Sequence, residues 1–181
     1  MGRHPQPDIR RRLLERCTDY ALANGLPHRL APLAESTGVS TRMLLYHFGT
    51  RDDLLREVLR EARQRQLQRF GDVLRAVPDE PYADTLARAW SVMTGSDGRQ
   101  FVQLFTDLRE NAGQSLWPGF KHVATTDWLE PLEEGLRNSG RAASATLVLA
   151  VMRGLLMDFD ATGDTDRVDR AFDEFLSTAL A

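Results

Sequence analysis

The residue types best suited to chemistry in this chain stand together between Gly38 and Phe48. Thr41, Arg42, Met43, Tyr46 and His47 follow directly on Gly38-Val39-Ser40 and offer a hydroxyl, a guanidinium, a thioether, a phenol and an imidazole on one short segment. Such a set can hydrogen-bond base edges and phosphates in a major groove. Bond-making chemistry has no comparable signal. The sequence carries no His-Glu-x-x-His, no paired Glu-x-x-His, no Gly-rich phosphate loop and no nucleophile elbow. His4, His28, His47 and His122 are scattered, and the acidic pairs Glu133-Glu134 and Asp158/Asp160 have no His at ligand spacing. No enzyme activity, metal or cofactor is therefore expected.

The elements that must position those side chains can be read from their flanks. Pro32 fits the opening turn of a helix, where its missing N–H costs little, and Leu33 and Ala34 then face inward. Gly38 ends that helix, because a left-handed turn is cheap only without a Cβ. Val39 can plug the gap between two helices and Ser40 can cap the second. Along the second helix Leu44 and Phe48 recur at i, i+4 as a buried stripe, leaving Thr41, Arg42, Met43, Tyr46 and His47 on the remaining surface. Two short helices around one sharp turn make a helix-turn-helix.

Charge is divided along the chain in the same sense. The overall charge is −3, yet residues 1–51 hold eight arginines against four acids, net +4, and residues 52–181 hold fifteen bases against twenty-two acids, net −7. A basic head on an acidic body suits a protein that lays one end on a polyanion. Arg3, Arg10, Arg11 and Arg12 could reach phosphates or a minor groove, or equally form a solvated helix face. With 181 residues, 42% hydrophobic and 27% charged, the chain is an ordinary globular one. No apolar run is seen to approach the roughly 20 residues of a membrane span, and the first residues lack a signal peptide's apolar core, so a cytoplasmic location is expected. The lone Cys17 falls on an apolar helix stripe and reads as a small core side chain.

Gly38-Val39-Ser40 through Tyr46-His47-Phe48 resembles the recognition helix of the tetracycline-repressor (TetR) family of bacterial transcription regulators. The flanks agree: Ile9, Leu13, Leu14, Cys17, Ala21 and Gly25-Leu26 look like the family's first helix, and Gly49-Thr50-Arg51 followed by Asp52, Asp53, Leu54 and Leu55 looks like its fourth. The match covers about the first third. It departs at Leu45, where many members carry a Tyr that here is shifted to Tyr46, at Arg51 in place of a usual Lys, and at Arg29-Leu30, where Thr residues often open the second helix. The resemblance implies a double-stranded DNA operator as partner. Ser40 to His47 would enter the groove with Arg42 on a base edge, while Thr41, Tyr46 and Arg51 hold phosphates and Arg29 and Met43 lie alongside.

Beyond the head, apolar periodicity broken at Pro, Gly and Asp indicates helices alone, and the chain is expected to be all-α. A three-helix DNA-binding domain, 1–51, would precede a larger helical effector-binding and dimerisation domain, 52–181. Helices are expected over Asp52 to about Phe70, Tyr82–Met93, Arg99–Glu110, Gly119–Asn138 with a disturbance at Pro131, Arg141–Thr162 and Asp164–Leu180. On the last two, Val148, Leu155, Phe172, Phe175 and Leu176 belong to an apolar surface that would form a four-helix interface between two copies, or an intramolecular core. Trp90, Met93, Phe101, Phe105, Leu108, Trp117, Phe120, Trp128 and Met152 could wall an effector cavity, or simply pack. Gln103, Asp107, Arg109, Asn111, His122 and Arg153 could orient a ligand. These features point to a homodimeric regulator, most readily a repressor released by an unidentified small molecule. The alternative is a helical ligand-binding or adaptor protein without sequence-specific DNA binding.

Overall fold

The structure is a computed structural model that describes residues 7–109 and 113–180, and every regular element among them is helical. In chain order these are α1 (Pro7–Asn24), α2 (Ala31–Thr37), α3 (Thr41–Phe48), α4 (Arg51–Val73), α5 (Tyr82–Thr94), α6 (Ser96–Asp107), α7 (Gly113–Leu116), α8 (Phe120–Thr126), α9 (Leu129–Arg137), α10 (Ala145–Thr162) and α11 (Thr165–Ala179). A 3₁₀ turn, Ala142–Ser144, leads into α10.

In the head, α1 lies across α2 and the first half of α4, and α3 packs on α2 and α4. Leu13, Cys17, Ala21, Leu33, Leu44, Phe48, Leu54, Leu55 and Val58 meet in the enclosed centre. Burial pushes the Cys17 thiol up to about 11, as suits a core side chain rather than a reactive one. Thr50 and Asp53 form a reciprocal capping box that starts α4. At 23 residues, α4 extends about 34 Å and passes into the body.

In the body α5 and α7 pack on α4, α6 packs on α5 and α10, and α10 joins α9 and α11. Trp90 donates to Asp169 at 2.6 Å and stacks on Phe172 at 4.6 Å, fastening α11 to α5. α9 passes so close to α5 that a Cβ on Gly135 would stand 2.1 Å from the Tyr82 ring. That ring is fixed by its hydroxyl, which donates to the Leu74 carbonyl at 2.8 Å.

Three expected elements differ in detail. The helix expected from Arg99 opens at Ser96, and its expected end, Glu110, lies outside the described residues. The segment expected to be disturbed at Pro131 breaks earlier, at Asp127-Trp128. Pro131 instead falls in the first turn of α9, where a helix needs no N–H. The span Ala142–Thr162 corrects the reading of apolar runs, since its 21 residues and mean hydropathy of 1.5 are long and apolar enough to cross a membrane by length and composition. In this fold it packs on α5, α6, α9 and α11 and leaves one side uncovered.

Because the Tyr82 ring cannot withdraw without losing its buried hydrogen bond, Gly135→Ala should destabilise the protein by about 1–3 kcal/mol. Denaturant titration would read this as a lower midpoint with an unchanged slope.

Candidate functional site

The α2–α3 unit is built by local chemistry. Pro32 sits in the first turn of α2, and Gly38 closes that helix in the left-handed region at φ 72°, its N–H donating to the Glu35 carbonyl at 3.1 Å. The Ser40 hydroxyl accepts from the Met43 N–H at 3.2 Å and caps α3. Leu44 and Phe48 are the buried residues of α3, and Gly49 ends it at φ 86°.

This arrangement leaves one side of α3 uncovered. Thr41, Arg42, Met43, Leu45 and Tyr46 are all exposed, and Ser40 and Arg29 stand exposed nearby. Met43 at 44%, Leu45 at 39% and Tyr46 at 53% make up half of the exposed large apolar side chains among the described residues. Clustering on an eight-residue helix marks a contact surface rather than scattered exposure. Leu45 belongs to this face although it was not among the candidates. The i, i+4 stripe of Leu44 and Phe48 already places it outward.

Several arginines of the head are engaged within it, Arg16 donating to the Thr37 carbonyl at 3.3 Å. Arg51 donates from Nε to the His28 carbonyl at 3.0 Å and from Nη2 to the Pro27 carbonyl at 3.1 Å, and it pairs with Asp52 at 2.8 Å. In this way it clamps the α1–α2 loop. Arg10 pairs with Glu57 at 2.6 Å, donates to the His47 carbonyl at 3.1 Å and lies 4.8 Å over the Phe48 ring, tying α1, α3 and α4 together. Arg11 and Arg12 are exposed. His47 is only partly exposed, with its Nδ1 buried. Arg3 and His4 lie outside the described residues.

In the body a cavity of about 90 Å³ lies between α4, α5, α6, α8, α9 and α10. Five of the nine expected wall residues line it: Met93, Phe105, Phe120, Trp128 and Met152. Of the other four, Trp90, Phe101 and Leu108 are core and Trp117 is half-buried against it. Trp90 is held by Asp169 and Phe172, Phe101 packs edge-on against Phe70, Trp117 leans on Phe120, and Leu108 is buried outside the lining.

Of the expected polar residues, Arg109 and Arg153 line the cavity, Gln103, Asp107 and His122 are exposed, and Asn111 lies outside the described residues. Arg63 and Gln66 of α4, which were not anticipated, also reach it. Arg63 is 4% exposed, pairs with Asp127 at 2.8 Å and lies 5.0 Å over the Trp128 ring. Burial pushes its guanidinium below the ordinary value against the pull of Asp127. The signal for both residues was their position on the apolar stripe of α4, between Leu59 and Phe70.

The expected interface on α10 and α11 is partly internal. Val148 and Phe172 have no exposed surface and Leu176 only 8%, so these three belong to the core of the single chain. Leu155 and Phe175 are half-buried. The exposed row on α10 is Leu147, Ala150 and Gly154, edged by the half-buried Val151 and Leu155, with Leu147 52% exposed and open space where a Cβ on Gly154 would stand.

No family model matches the chain, and no curated protein does. Solved structures do. A transcriptional regulator from Rhodococcus sp. Rha1 is similar at 21% identity, with a TM-score of 0.76 over 94% of this chain and 95% of that one. A Rhodococcus sp. protein assigned to the TetR-family transcriptional regulators is similar at 17% identity, with a TM-score of 0.72 over 96% and 100%. The multidrug binding protein EbrR, solved with imidazole, is similar at 22% identity, with a TM-score of 0.64 over 96% and 93%. The chain therefore has the all-helical fold of TetR-type transcriptional regulators.

Ser40→Ala removes the one side-chain cap of α3 and should lower stability by about 1 kcal/mol. Arg42→Ala, on an exposed side chain, should leave stability within about 0.5 kcal/mol. Parallel thermal melts of the two variants separate a scaffold role from a surface role.

Proposed function

We propose that this protein is a homodimeric DNA-binding regulator of transcription, a repressor released from its operator by a small molecule. One observation carries the reading: α3 is capped by Ser40, anchored by Leu44 and Phe48, and turns Thr41, Arg42, Met43, Leu45 and Tyr46 outward. A short helix fixed in this way can enter a major groove, with Arg42 able to fork onto guanine O6 and N7. Met43 and Leu45 add apolar surface suited to thymine methyl groups. Arg11, Arg12 and Arg29 are the exposed cations placed to meet phosphates. The regulators that share the fold support the same reading.

A second copy is required on energetic grounds, because one short helix reads only a few base pairs. The uncovered row on α10, flanked by Phe175 of α11, is the surface that would join two chains into a four-helix interface. Residues 1–51 would read DNA, and residues 52–181 would bind the effector and the partner copy in the cytoplasm. An effector acts by binding more tightly to the form in which the two heads are wrongly spaced, which draws the population away from the DNA-competent dimer.

Titration against duplex DNA carrying the protein's own promoter, at two salt concentrations and beside an unrelated duplex, tests this. Saturable, salt-sensitive preference for the promoter is expected; equal weak binding to both duplexes would favour the adaptor alternative. Arg42→Ala should weaken promoter binding by about 1–3 kcal/mol and relax selectivity at one base position. Gly154→Arg, placed in open space, should give monomers in light scattering and weaken promoter binding without lowering the melting temperature of the single chain.

A further inference from the structure

The charge of the cavity lining is more than an effector site in general requires. Three guanidiniums stand on it, Arg63 from α4, Arg109 beyond α6 and Arg153 from α10, and no lining residue is acidic. The carboxylate that approaches is Asp127, which takes Arg63 through Nε at 3.3 Å and Nη2 at 2.8 Å. Arg153 donates to the Ala124 carbonyl and, at 3.1 Å, to the Thr125 hydroxyl, both neutral. Arg109 makes no ion pair or hydrogen bond with any described residue. Three cations thus face one anion, leaving a surplus of two positive charges on a half-enclosed wall.

That surplus is costly where water is partly excluded. Burial depresses the Arg63 and Arg153 guanidiniums, and the charge of Arg109 presses on both in the same direction. An anion placed among them relieves the repulsion and gains charge-assisted hydrogen bonds. Arg63 has Asp127 and the Trp128 face as partners already, so Arg109 and Arg153 are the donors available to a ligand.

The lining also has a direction. Along α4, Arg63 and Gln66 give way to Phe70 and Leu74 over about 16 Å. Met93 of α5, Leu132 of α9 and Leu149 of α10 add further apolar lining. A wholly polar anion would fill the charged end and leave the rest unsatisfied.

We propose that the cavity takes an amphiphilic carboxylate, its head group on Arg109 and Arg153 and its apolar body toward Phe70, Leu74 and Met93. This rests on the reading of the cavity as the effector site and adds the chemical class of the effector. At about 90 Å³ the cavity is smaller than sites for drug-sized ligands, which run from about 300 Å³, so a slender body fits better than a fused polycyclic one.

Two matched sets of probes test the assignment on the full-length protein: decanoate, decanol and decylamine, and 3-phenylpropanoate with its alcohol and its amine. Calorimetry reads affinity, and tryptophan fluorescence reads the approach of a ligand to Trp128. In at least one set the carboxylate should bind about tenfold tighter than its alcohol and tighter still than its amine. Arg109→Gln should erase that preference while leaving the alcohol's affinity unchanged, and Arg153→Gln should act in the same sense. The proposal is overturned if none of the six binds, if an amine equals its carboxylate in both sets, or if the preference survives in both variants. Adding the bound carboxylate to the promoter complex then separates the two readings. Binding without release from DNA leaves the ligand class standing and removes the effector role, whereas tight promoter binding with no probe bound removes the ligand class and leaves the regulator.

Discussion

Everything in this molecule is referred to one continuous helix. The first half of α4 supplies Leu54, Leu55 and Val58 to the core of the head, and the second half supplies Arg63, Gln66, Phe70 and Leu74 to the cavity. The same backbone ladder thus belongs to both the head and the cavity. The Arg63–Asp127 pair joins this rod to the turn between α8 and α9.

The head was legible in the sequence because its determinants are local. Gly38, Ser40 and Gly49 act within one turn of themselves, and Leu44 and Phe48 declare the buried side of α3 by their spacing alone. What escaped was the use made of arginine. Arg51 was read as a hand for phosphate and serves as a clamp on the carbonyls of Pro27 and His28, more than twenty residues away. A guanidinium carries five donors and suits either task, so residue type does not choose between them.

The body was legible as composition and less so as orientation. Its aromatic residues were recognised, but whether each faces the cavity depends on partners distant in the chain. Trp90 turns toward Asp169, 79 residues on, and Phe101 toward Phe70. α10 is apolar nearly all round, so its periodicity carries no direction. Val148, read as either interface or intramolecular core, lies in the core, while Leu147 beside it is exposed. Of the cavity's arginines, Arg109 and Arg153 were among the expected polar residues, whereas Arg63 was hidden, since a charged residue on an apolar stripe is easily taken for a surface position.

The brevity of α3 has a consequence for how such a surface can change. Eight residues are too few for a helix to persist in water by itself, where about 12–15 are marginal. Its shape is therefore on loan from the buried Leu44 and Phe48, the Ser40 cap and the two flanking glycines. The five exposed side chains can be exchanged without disturbing what keeps the helix folded, whereas the same eight residues cut out as a peptide would lose their form. The exposed face is thus free to diversify in place and unable to be transplanted alone.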